Sequence, residues 1–432
     1  MLTELFRVIK EKTACFRQLA NECLSEDLRG IGFGRPTTMA HQQPIQAASC
    51  ARELAHAPAD GRENLPLFKD YPQLAARLPH VSLGRFPTPV EELGRVGDAI
   101  GLDRLYIKRD DLSGAVYGGN KVRKLEFLLG DALRARAREV VTIGFAGSNH
   151  ALATAIYANQ LGLRSTSLLM PQVNARYVRR NLLASYCHKA QLQHSASLPI
   201  LAWGLLRKLL QGRRQFGVFP RIIPAGGSCP LGVLGYVNAA FELREQIRAG
   251  EMPTPDLIYV PLGSMGTAVG LMLGLKAAGL PTQVIAVRVI EQRFANLSKL
   301  VRLFRGTASL LRRLDPTFPN LRIDPAEPSI REDCLGDGYA RFTEKAVNAA
   351  DLMRGHTGII LNGAYSAKAF SAILDDASRR ILKGKTILFW NTYNSRDLSA
   401  VASGVDYHQL PKAFHRYFEQ DVQPLDHAGF DG

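Results

Sequence analysis

From Leu67 onward, short apolar runs rich in β-branched residues alternate with longer stretches of helical spacing. Val140–Ala146, Ser165–Met170, Gln191–His194, Arg221–Pro224, Asp256–Leu262, Val284–Ile290 and Thr386–Trp390 read as strands. Asn149–Leu161 and the segment from Thr267 read as helices that follow strands directly. Strands alternating with helices predict parallel sheets of α/β type. The first part of the chain lacks this rhythm. Leu5, Val8, Ile9, Phe16 and Leu19 fall near helical spacing within Leu2–Leu24, and a segment rich in Gly, Pro, Gln and Ala follows. Residues 1–65 therefore read as an N-terminal extension, partly disordered.

Composition narrows the class. The 432 residues are 46% hydrophobic and 22% charged, which fits two or three folding units rather than a disordered chain. No run approaches the roughly 18 uncharged apolar residues of a membrane span. The best stretch, Gly266 to Leu280, is interrupted by Lys276. Glu4, Arg7, Lys10, Glu11 and Lys12 break the apolar start where a secretory signal needs continuity, so a cytoplasmic location is expected. The cysteines (Cys15, Cys23, Cys50, Cys187, Cys229 and Cys334) form no C-x-x-C, predict free thiols and define no metal site. The net charge is +15, yet Val140 to Phe241 contains no Asp or Glu. That stretch carries Arg164, Arg176, Arg179, Arg180, Lys189, Arg207, Lys208, Arg213, Arg214 and Arg221. A solvated arginine-rich face accounts for it. An anionic substrate, an acidic partner, nucleic acid or a membrane surface would also suit.

Three polar or glycine-rich elements suggest chemistry. Pro261–Thr267 (PLGSMGT) joins a strand to a helix, where free amides and the hydroxyls of Ser264 and Thr267 would face an anion. It is neither a Walker loop nor G-x-G-x-x-G. In Tyr117–Glu126 (YGGNKVRKLE), Lys121 and Lys124 open a helix on one face. Cations there oppose the helix dipole, which suggests an anion or a carbonyl compound nearby. A desolvated lysine beside another cation becomes a nucleophilic amine. Gly147-Ser148-Asn149-His150 begins another helix; its amides and short polar side chains could meet a carboxylate or phenolate, but taken alone it reads first as a simple N-cap.

Together these elements resemble the pyridoxal-phosphate (PLP) enzymes of fold type II, the tryptophan synthase β-like family. The similarity is to its D-cysteine desulfhydrase and 1-aminocyclopropane-1-carboxylate (ACC) deaminase branch. The resemblance is carried by KRDDLSG (Lys108–Gly114), GGNKVRKLEFLL (Gly118–Leu129), GSNHA (Gly147–Ala151), Ile223–Leu243 and the GSMGT loop, and runs from about Leu67 to Leu398. It implies two parallel-sheet α/β domains with the cofactor in the cleft between them. It implies that Lys121 holds PLP as a Schiff base, that Gly263, Ser264, Gly266 and Thr267 bind its phosphate with help from Lys124, and that Asn149 bonds its phenolate oxygen. Ser148, Asn149 and His150 would meet the substrate carboxylate, with Ser148 also assisting proton transfer, and Tyr365 would be catalytic. Ser366 would face the pyridine nitrogen.

The departures bear on the reaction. Where the family usually has Asp, Pro, an apolar residue, Tyr, Thr or Glu, and then Gly-Lys, this chain has Asn362-Gly363-Ala364-Tyr365-Ser366-Ala367-Lys368. A Glu at 366 would keep the pyridine nitrogen protonated, as ACC ring opening needs. The neutral hydroxyl of Ser366 favours α-deprotonation followed by β-elimination or β-replacement. Gly147 stands where the family has Gln, and Asn391–Ser395 replaces a His-Thr-Gly-Gly-like turn. The resemblance thus implies a lyase that eliminates from a small β-substituted, D-cysteine-like amino acid, with Lys121 as the base. The alternatives are a β-replacement enzyme, a PLP-binding protein without turnover, and a basic surface-binding protein. The expected organisation is a large domain of 66–123 plus 233–402, a small inserted basic domain of 124–232, and a tail at 403–432. The expected partners are an amino-acid substrate and a second copy in a homodimer, with nucleic acid or membrane contact left open only by the basic stretch.

Overall fold

The computed structural model describes residues 64–427. The helix read at Leu2–Leu24, nearly all of the 1–65 extension and the end of the 403–432 tail lie outside them. Among the described residues ten strands form two sheets: β1 Val90–Glu92, β2 Leu105–Lys108, β3 Glu139–Phe145, β4 Arg164–Met170, β5 Gln191–His194, β6 Arg221–Ile223, β7 Leu257–Leu262, β8 Gln283–Arg288, β9 Ser329–Arg331 and β10 Ile387–Trp390. Nine longer helices among the described residues are α1 Lys121–Arg134, α2 Asn149–Gln160, α3 Arg176–Cys187, α4 Leu198–Phe216, α5 Pro230–Arg248, α6 Gly266–Ala278, α7 Leu297–Leu314, α8 Glu344–Thr357 and α9 Ser366–Ser378. The larger sheet has the order β1-β2-β10-β7-β8-β9 and the smaller β5-β4-β3-β6. Every pairing is parallel except that of β1 with β2. This is the α/β fold of two parallel sheets expected from the alternation of strands and helices.

The side-chain period of two sorts the large sheet's residues between its faces. Ile387 and Phe389 pack with α8 and α9 on one side. Leu388 and Trp390 pack with α5, α6 and α7 on the other. All six residues of β7 are buried, as a central parallel strand covered on both faces requires. In the small sheet Val140 packs beneath α1 and α2, while Val141 and Leu168 meet Leu201, Leu205 and Leu209 of α4.

Much of the basic middle stretch is used internally. Lys208 pairs with Glu139 at 3.0 Å and Arg221 with Asp131 at 3.1 Å. The Arg179 side chain donates to the backbone carbonyls of Tyr417 and Gln420. Arg207, Arg213 and Arg214 lie exposed on α4. Cys187 and Cys334 are free thiols, and Cys15, Cys23 and Cys50 lie outside the described residues. Among the described residues, no helix is long and apolar enough to cross a membrane.

Candidate active site

The three predicted elements converge at the carboxyl ends of strands, where α/β sheets bind ligands. The loop after β7 delivers Gly263, Ser264, Gly266 and Thr267 to the start of α6, whose N-cap, Met265, adopts a left-handed φ of 67°. A side chain at Gly263 would meet nothing closer than 3.8 Å, so the loop is open in front. Beside it lies Ser228, to which the sequence pointed only as part of a longer match. Its hydroxyl accepts the Gly266 N–H at 3.1 Å and donates to Ser264 Oγ at 2.8 Å. The local signal was Gly226-Gly227-Ser228 ahead of a proline that opens α5.

Lys121 and Lys124 lie on the cradle side of α1, while Val122 and Arg123 between them turn inward. Arg123 is buried and bonds Asp110 at 2.7 Å and Glu242 at 2.8 Å. Lys108 also pairs with Glu242 at 2.7 Å. Tyr236 Oη and Trp390 Nε1 donate to Asp110 at 2.5 and 2.7 Å. Two cations and two carboxylates thus anchor α1 from below. Burial pushes the Glu242 carboxyl up, but the charges of Arg123 and Lys108 outweigh it and hold it at about 2.

Lys121 is half-buried, and its amine donates to Asn120 Oδ1 at 2.7 Å. Asn120 Nδ2 in turn donates to Thr267 Oγ1 at 2.9 Å, which ties the lysine loop to the cradle. Burial lowers the Lys121 pKa to about 8. Lys124 Nζ contacts Gly226 O at 3.2 Å and Ser228 Oγ at 3.3 Å. Burial first, and then the charge of Lys121, hold its pKa well below that of an ordinary lysine.

Ser148 is the N-cap of α2, its Oγ accepting the Ala151 N–H at 3.1 Å, as the capping reading predicts. Asn149 is oriented by a chain of bonds. Asn181 Nδ2 donates to Gly147 O at 3.0 Å and to Asn149 Oδ1 at 2.8 Å, and Tyr117 Oη donates to the same oxygen at 3.3 Å. With Oδ1 so engaged, the Asn149 amide nitrogen is the free donor. His150 is buried against Gly227, on the lysine side of the turn, with neither ring nitrogen hydrogen-bonded. Burial, then the charges of Lys121 and Lys124, lower its pKa and keep it neutral.

The departures in sequence have structural reasons. A Cβ at Gly147 would lie 2.7 Å from Val178 and 2.8 Å from the Tyr177 ring, so α3 occupies the room a Gln would use. Asn362 Oδ1 accepts the Ala364 N–H at 3.0 Å, a bond that an aspartate could equally make. Tyr365 shares a short hydrogen bond with Tyr339, and burial followed by that neighbour raises its pKa well above the ordinary phenol. Tyr339 was not foreseen. Ser366 is fully buried, and its Oγ accepts the Asn362 N–H at 2.8 Å, which leaves its proton to donate. In the Asn391–Ser395 turn, Thr392 O accepts the Asn120 N–H at 3.1 Å and Asn394 Oδ1 the Gly118 N–H at 2.6 Å. This turn holds the loop that carries Lys121, another role the sequence concealed.

Two lowered lysines, a helix N-terminus and an oriented amide donor define a cleft for an anionic, carbonyl-bearing cofactor. Residues 81–392 match the family described as pyridoxal-phosphate dependent enzyme, and the chain belongs to that family. The chain is 32% identical over 328 residues to a D-cysteine desulfhydrase of Serratia proteamaculans, a match that covers 74% of this chain and 95% of the relative. It is 33% identical over 343 residues to nocardicin C-9′ epimerase of Nocardia uniformis subsp. tsuyamanensis, covering 75% and 95%. The crystal structure of an ACC deaminase homologue superposes with a TM-score of 0.65 at 32% identity, covering 77% of this chain and 95% of the other. Membership in the family implies pyridoxal phosphate as the cofactor, and the residues fit it. A Cβ at Gly266 would fall 2.5 Å from Ser228 Oγ and 2.9 Å from Lys124 Nζ, so the cradle stays open only because residue 266 has no side chain.

Proposed function

We propose that the chain is a pyridoxal-phosphate-dependent lyase that performs α,β-elimination on a small β-substituted amino acid similar to D-cysteine. The observation that carries this reading is Ser366: a buried neutral hydroxyl, with its proton available, at the position assigned to the pyridine nitrogen. When bound, the cofactor supplies the electron sink that lets the α-proton leave. Lys121 would hold the cofactor, and its amine, lowered to about 8 by burial, suits a base working near neutral pH. Gly263, Ser264, Gly266, Thr267 and Lys124 would hold the phosphate, with Ser228 added to that set. Asn149 would donate to the phenolate oxygen. Ser148 and Asn149 would bind the substrate carboxylate, and the buried His150 would support them from behind. Tyr365, kept protonated by burial and paired with Tyr339, would donate to the departing β-substituent. We read 124–232 as a small unit inserted into a larger one of 66–123 plus 233–402, and the active form as a homodimer.

The test is the visible spectrum of the purified protein with D-cysteine, L-cysteine and β-chloroalanine, together with an assay for keto acid. A cofactor band that shifts with one enantiomer and keto acid released at the same rate are expected. Exchange of the α-proton for solvent deuterium without keto acid would replace elimination with epimerisation, the activity named for the Nocardia relative. Keto acid appearing only when a thiol or amine is withheld would favour β-replacement.

A further inference from the structure

The sequence assigns no role to residues 403–432. Their described part runs across both walls of the cleft. On the small-sheet side Asn174 Nδ2 donates to the carbonyls of Tyr417, Gln420 and Asp421 at 2.9, 2.8 and 3.1 Å. The Gln423 N–H donates to Asn174 O at 3.1 Å. Tyr417 is buried, and its hydroxyl accepts the Gln172 N–H at 3.1 Å. Gln172 Oε1 accepts the Gly147 N–H at 2.8 Å, so the tail reaches the Ser148–Asn149 turn through one intermediate residue. On the large-sheet side Gln423 Oε1 accepts the Phe342 N–H at 2.7 Å, and Gln423 Nε2 donates to Ala340 O at 3.0 Å. Ala340 adopts a left-handed φ of 62°, unfavourable for a residue with a side chain, so this loop needs an external hold. Ala340 follows Tyr339, the partner of Tyr365.

We infer that Tyr417 and Gln423 are positioning residues: the tail is a strap that fixes the distance between the Ser148–Asn149 turn and the Tyr339–Tyr365 pair. It thereby sets the fit of the substrate between them. The role rests on the proposed function only for what the pocket holds. Substrate groups must be placed within about 0.5 Å for productive chemistry, and each such residue owes its place to the shell behind it. Gln423 bonds both walls, so its loss should be felt on the wall that its side chain does not touch.

The experiment uses the full-length holoenzyme with Gln423→Ala and Tyr417→Phe, singly and together. Amide hydrogen exchange is read over 145–151 and 339–343, and KM, kcat and the cofactor band are measured alongside. Gln423→Ala removes two side-chain hydrogen bonds and is expected to speed exchange over 339–343 by about tenfold to 100-fold, and over the untouched 145–151 by about fivefold to tenfold. KM should rise about tenfold while kcat changes less than about twofold and the band is unaltered. Exchange changes confined to the segment each side chain touches would overturn the strap, as would kcat falling at constant KM. If Gln423→Ala does not fold, Tyr417→Phe, which keeps its ring, carries the same cross-wall test toward 339–343. If the native chain turns over no amino acid, the elimination reading fails while the exchange data still decide the strap.

Discussion

Replacing Lys124 with Met keeps an apolar stem of similar length and removes the charge. Lys124 Nζ lies 3.3 Å from Ser228 Oγ, which itself accepts from the first amide of α6. A phosphate at that helix start would therefore meet the amine directly. Without the anion, burial and the Lys121 charge disfavour the protonated form. Phosphate binding then draws a proton onto Lys124. A hydrogen bond to a charged group is worth about 1.5–3 kcal/mol. At 1.4 kcal/mol per tenfold, the variant should bind pyridoxal phosphate about 10-fold to 100-fold more weakly. The assay titrates cofactor-free protein with pyridoxal phosphate between pH 7 and 9 and follows the visible band. Affinity in the native chain should fall with rising pH as Lys124 becomes harder to protonate, and the variant should lose that part of the slope. An affinity within about twofold of native, with the slope unchanged, would refute the assignment of Lys124 to the cradle.

Arg123→Met takes the guanidinium from between Asp110 and Glu242, and should destabilise the protein by about 3–5 kcal/mol in urea unfolding. Because the folded Glu242 sits at about 2, below the usual 4.5, its contribution is complete above about pH 4.5 and is lost as pH falls toward 2. Melting followed over that window should show native stability declining, and Glu242→Gln should flatten the decline. Gly147→Ala forces a Cβ against Val178 and Tyr177, and should cost about 1–3 kcal/mol while raising KM more than it lowers cofactor affinity; a neutral result would show that α3 yields at that contact.

The strands that could be read ahead were those whose apolar runs speak for themselves: β3, β4, β7, β8 and β10, with weaker signals for β5 and β6. β2 escaped because it is four residues long and ends in Lys108, a residue that belongs in a strand only when Glu242 and Gln246 arrive from far along the chain. β1 and β9 are three residues each and lack a fully buried position. In the cleft, the turns carrying Lys121, Ser148 and Ser264 were legible because small-residue turns at strand–helix junctions are local chemistry. Ser228, Tyr339 and Asn394 were not, since each matters through a contact with a distant segment. Gly147 looked like a loss in sequence, and only the approach of Tyr177 turns it into a requirement.

The ion cluster under α1 also governs when the protein becomes competent during synthesis. Asp110 pairs with Arg123 and must also meet Trp390, which lies 280 residues further along the chain. Contacts so far apart form late, because the loops between them must first be closed. A nascent chain that ends before β10 has made its lysines and its glycine loop, but it lacks the strand that seats Asp110 and the turn that grips Gly118 and Asn120. Chains truncated before β10 should therefore fail to retain the cofactor.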